Sequence, residues 1–194
     1  TDETKQSYLA QVRNLVKGWK QDVAEGAISP LKRLNAERQA LLASLSQLSA
    51  DQDGRIPAAG DVERCRLRRA LGYGTPSEHA WTRGDAEWNA RAWMGEGVVL
   101  LEAAPVDTIE DLRGTAPLGA VTLDGKPHCT RVGKRVGAVL VSAAPPAFVA
   151  VLAGRWFLLA ERESWPLGRS LAIDVLLALE RNDTRSGSRK SSLK

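Results

Sequence analysis

Cys65, His79, His128 and Cys129 are every cysteine and histidine in the 194-residue chain. Together they could form a Cys2His2 metal set. Their spacing opposes it. No pair shows the short Cys-x-x-Cys or His-x-x-x-His interval that lets one turn present two ligands. His128 and Cys129 are adjacent on an expected strand, so their side chains point to opposite faces. No metal and no cofactor is expected.

Covalent catalysis needs a thiol or hydroxyl beside a base. No serine stands in a Gly-x-Ser-x-Gly elbow, and nothing in the sequence joins Cys129 to His79. Glu161 and Glu163 are two acids at strand spacing, but paired-carboxylate chemistry needs them across a cleft. Gly72-Tyr73-Gly74-Thr75-Pro76 lacks a third glycine and follows a helix, and Gly133-Lys134 has the wrong flanks for a P-loop. The ingredients for catalysis are sparse, and the chain reads as a non-enzyme.

Basic clusters are more prominent. Arg64, Arg66, Arg68 and Arg69 crowd one expected helix, and Arg131, Lys134 and Arg135 crowd a turn between two expected strands. The chemistry such groups suit is contact with phosphates. Trp81, Trp88 and Trp93 lie between the clusters. They read as staples joining a helical part to a β part, or as a platform on which bases stack.

Charge and composition bound this reading. The formal net charge is +4. Arg185, Arg189, Lys190 and Lys194 lie in the Ser-rich segment 184–194, which has no acid; without it, 23 basic residues face 23 acidic ones. The high isoelectric point therefore belongs to an expected flexible tail, not to the body. Hydrophobic residues make up 43% of the chain, enough for a packed core. Two cysteines far apart in sequence suit a reducing, cytoplasmic compartment, and the first residues lack the features of a secretory signal.

Residues 1–73 read as helical. Leu31, Leu34, Leu41, Leu45 and Leu48 fall at heptad spacing, with Arg38 at the remaining seam position, as in a coiled coil. A third helix carries the first arginine cluster and stops at Gly72 and Gly74. Residues 74–96 read as a Trp-rich connector with a short helix from Asp85.

The run 136–154 contains no charge and approaches the length of a membrane span. Pro145-Pro146 in its middle and its β-branched content argue instead for two strands, 136–142 and 147–153. A third follows over 155–160. Strands also read over 98–103 and on either side of Asp124-Gly125, a two-residue hairpin turn. A helix over 171–179 would cover the sheet.

The expected architecture is α+β. A helical N-terminal region (1–73) and the connector (74–96) precede an antiparallel β-meander or open barrel with a C-terminal helix (97–183) and the tail (184–194). The expected function is a non-enzymatic binding protein within a larger assembly that contacts nucleic-acid phosphates through these arginines. The alternative is a protein–protein adaptor that docks or self-associates through the leucine seam of residues 31–48.

Overall fold

The computed structural model describes residues 28, 30–45, 59–119, 121–128 and 130–188. Residues 1–27 of the region expected to be helical, Leu48, Cys129 and residues 189–194 lie outside them. The described elements are four α-helices and eight strands, an α+β fold with an open, mostly antiparallel sheet.

Helices α1 (Pro30–Leu45) and α2 (Ala59–Ala70) precede the sheet. Strands β1 (Ser77–Arg83), β2 (Ala86–Gly95) and β3 (Val98–Glu102) follow. A 3-10 turn (Glu110–Arg113), β4 (Val121–Leu123), β5 (Lys126–Pro127) and α3 (Val132–Leu140) come next. Strands β6 (Phe148–Ala153), β7 (Trp156–Glu161) and β8 (Leu171–Asp174) lead into α4 (Val175–Ser188). The sheet order is β5-β4-β2-β3-β6-β7-β8, with β1 paired to β2.

One strand pair is parallel. β3 aligns with β6 from Val98↔Phe148 to Glu102↔Leu152, and α3 lies in the connection between them. Parallel neighbours need such a crossover, and a meander cannot provide it. The stretch 136–142, expected as a strand, is therefore mostly helix. Val132, Arg135, Val136, Val139 and Leu140 are buried along one stripe of α3, at helical spacing.

The expected connector is also different. Residues 74–96 supply β1 and β2, which pair from Ser77↔Ala92 to Arg83↔Ala86. In β2, Trp88, Ala90 and Ala92 are buried while Glu87 and Arg91 are exposed, the alternation of a half-buried strand. β2 pairs with β4 over Trp88–Ala90 and with β3 over Trp93–Gly95. At the far edge, 171–174 is strand β8, and α4 begins only at Val175. α4 also runs to Ser188, inside the segment expected as a tail.

Both faces of the sheet are covered. Val99, Leu101, Val149, Val151 and Ala153 face α3, while Leu100, Ala150 and Leu152 face α1, α2 and α4. This explains why β6 is apolar throughout and β3 from Val98 to Leu101. The leucine seam is part of the second layer. Leu41 and Leu45 are 0% and 3% exposed and pack in the cluster with Leu67, Leu152 and Leu179. Arg38 closes the same seam by donating from Nε to the Leu179 carbonyl at 2.9 Å. The described part of the expected dimerising stripe is thus covered by the chain's own sheet and helices. No helix among the described residues is long and apolar enough to cross a membrane. The Pro145-Pro146 segment is the link between α3 and β6.

Candidate nucleic-acid interface

The second arginine cluster sits at the start of α3, and burial divides it. Arg131 is the N-cap residue, in an extended conformation, with no side-chain cap. Its side chain is exposed, and Nη1 reaches the Gly114 carbonyl at 3.4 Å. Lys134, in the first turn, is exposed. Arg135 is 3% exposed. It donates from Nη2 to the Arg91 carbonyl at 2.7 Å and from Nη1 to the Leu118 carbonyl at 3.4 Å. Burial brings its guanidinium down to about 10, against a smaller opposing pull from Glu78. Arg135 therefore braces the interior between α3 and β2.

A pocket of about 190 Å3 opens beside Lys134. Trp88 of β2, Val121 and Leu123 of β4 and Ala138 of α3 give it apolar walls; His128, Thr130, Lys134 and Arg135 complete the lining. No carboxylate is among these residues. The exposed cation of Lys134 thus borders an apolar hollow, and the positive end of the α3 dipole lies in the same turn.

The first cluster divides in the same way. Arg68 is 6% exposed and donates from Nη1 to Glu102 Oε1 at 2.6 Å. Arg66 is half-buried and pairs through Nε with Glu37 Oε2 at 3.2 Å. Arg64 is half-buried, and burial is the main reason its guanidinium is held below the usual arginine value. Glu102 opposes that shift, and the charges of Arg68 and Arg91 add to it. Glu102 therefore pairs with Arg68 and also supports the charge of Arg64. Arg69 alone of this cluster is exposed. The two expected patches do not merge, because α2 belongs to one layer and α3 to the other.

The tryptophans divide between the layers. Trp81 and Trp88 stack across β1 and β2, 6.4 Å between centroids and 14° between planes, inside the core against α3. Trp93 faces the other layer and meets Tyr73 edge-on at 5.0 Å, which ties the end of α2 to the sheet. A Cβ at Gly95 would overlap the Trp93 ring, so glycine is required where the ring folds over the strand. These rings are staples, and the stacked pair is not a surface platform.

Among the described residues, no three His, Cys, Asp or Glu side chains gather as they would around a metal ion. His79 instead meets Ser77 Oγ through Nε2 at 3.1 Å. Cys65 is a half-buried free thiol. Glu161 accepts a hydrogen bond from Ser164 Oγ at 2.6 Å, and both it and Glu163 are exposed.

The sequence reading missed Arg91, whose charge acts on Arg64. It also missed Trp88, Val121, Leu123 and Ala138 as walls of one hollow. They come from three elements, and no local spacing joins them. His128, singled out as a possible metal ligand, is on the rim of that hollow. No family model matches the chain, and no curated protein or solved structure is significantly similar to it.

Proposed function

We propose that the chain is a non-enzymatic binding protein that contacts nucleic-acid phosphates, working in the cytoplasm as part of a larger assembly. The observation that carries the reading is the α3 start, where Arg131 and Lys134 stand exposed beside a pocket lined without a carboxylate. Exposed cations can exchange bound counterions for phosphates. Of the seven basic residues the sequence nominates, Arg131 and Lys134 carry the contact on this layer and Arg69 a separate one on the other. Arg64, Arg66, Arg68 and Arg135 act mainly inside the fold. Support for an assembly partner lies at the opposite end of the sheet. Edge strand β8 exposes Leu171 and Ile173 at 56% and 41%. An edge of that kind offers free backbone pairing groups to another chain.

The test is a salt titration of binding to a labelled single strand, for the wild type and for Arg131→Ala/Lys134→Ala. Each lost phosphate contact removes about 0.7 from the slope of log affinity against log salt on a single strand, so the double variant should lose about 1.4. An unchanged slope would remove α3 from the interface.

A further inference from the structure

We infer that the pocket beside Lys134 receives one unstacked base of a single-stranded nucleic acid whose backbone lies on Arg131 and Lys134. The inference rests on the phosphate reading above and adds the ligand class of the hollow. A phosphate cannot be fully matched inside it, because apart from Lys134 and Arg135, which already donates to two backbone carbonyls, its walls include the apolar Val121, Leu123 and Ala138. A flat group with apolar faces can, and its hydrogen-bonding edge would meet Thr130 and His128 at the mouth. Lys134 belongs both to the pocket lining and to the exposed cationic surface. Apolar cavity and positive charge are therefore one side chain apart, as a base and its own phosphate are.

Size points the same way. A hollow of about 190 Å3 has room for a ring system. Bases in a duplex are paired and stacked and cannot reach such a hollow unless they are flipped out, whereas those of a single strand are already splayed. Of the polar lining groups, Arg135 is committed to two backbone carbonyls, which leaves His128, Thr130 and Lys134 to meet the edge of the base.

The test uses the full chain and fluorescence anisotropy at low salt. Three probes are compared: a short single strand, a duplex of the same sequence, and a strand of equal length made of stable abasic sites. One buried base is worth about 1–3 kcal/mol, so the ordinary single strand should bind about tenfold or more tighter than the abasic one. Equal affinity for those two overturns the inference and leaves the phosphate reading standing. Failure of the wild type to bind any probe overturns both.

Ala138→Leu provides the second arm. It fills the hollow from a helical position and leaves Arg131 and Lys134 in place. It should lower single-strand affinity to the abasic level and leave duplex affinity unchanged. A folded Ala138→Leu protein that binds the single strand like the wild type also overturns the inference. If the variant does not fold, the abasic comparison decides the matter alone.

Discussion

Arg68 and Glu102 allow the sharpest test of whether the first arginine cluster is a surface or an interior feature. Their side chains are 8% and 11% exposed and meet at 2.6 Å, and Arg68 Nε is buried without a hydrogen-bond partner. Breaking a buried pair from one side leaves an uncompensated charge, at a cost of about 3–5 kcal/mol. The two single variants should differ. Arg68→Met leaves Glu102 within the field of Arg64, so its charge keeps a partner. Glu102→Gln leaves the buried Arg68 guanidinium without its carboxylate and removes a charge that supports Arg64. We expect Glu102→Gln to cost about 4 kcal/mol, and Arg68→Met nearer 2. With a urea m-value of about 2 kcal/mol per molar, the unfolding midpoints fall by about 2 M and 1 M. The double replacement by Met and Leu should recover most of the loss, because an apolar pair of similar volume avoids both desolvation costs. Urea unfolding followed by circular dichroism measures all four proteins. Equal losses for the two single variants would refute the shared-carboxylate argument. A stable Arg68→Met protein that lost nucleic-acid affinity would return Arg68 to the surface.

The other expectations concern the second layer and its edge. Leu41→Ala removes a fully buried side chain from between α1 and the sheet and should cost about 2–5 kcal/mol; a midpoint shift no larger than that of a surface substitution would mean that the seam is open. Asp174 caps α4 by accepting the Leu177 N–H at 3.0 Å and pairs with Arg155, so Asp174→Ala should cost about 1–2 kcal/mol. Burial alone would raise the Asp174 carboxyl, but the hydrogen bonds from Arg155 and Leu177 outweigh it and hold the group below its ordinary value. Its contribution is therefore complete above the ordinary aspartate range and lost as pH falls through the folded value. The stability gap between wild type and Asp174→Ala should close in acid, and a gap that persists there would refute the assignment.

Several elements were legible because local chemistry fixes them. Asp124-Gly125 forms the two-residue turn between β4 and β5, with positive φ at both positions, 49° and 74°, as such a turn requires. Pro145-Pro146 breaks the uncharged run, and residues on its far side form β6. The α1 leucines recur at helical spacing; Leu41 and Leu45 are buried, and Leu34 and Leu42 are half-buried against the same cluster. The α+β class followed from such signals.

Where the reading failed, the local signal was ambiguous and packing decided. Residues 86–93, Ala-Glu-Trp-Asn-Ala-Arg-Ala-Trp, contain many helix formers, yet β1 and β4 take up their backbone groups from either side. Propensity differences of a few tenths of a kcal/mol per residue cannot resist that. In the valine-rich run the error was one of framing. Beginning at Val136 hid Val132 and Arg135, which complete the helical stripe of α3. A β-branched run favours a strand, but only weakly, and the parallel β3–β6 pair, which needs a crossover, selects the helix. The same limit applies to the basic residues. Their number and sequence positions were visible from the start. Whether a guanidinium faces water, as in Arg131, or two backbone carbonyls, as in Arg135 four residues on, depends on which side of a helix meets the sheet. That is settled only when distant strands come together, because burial is a property of the assembled layers.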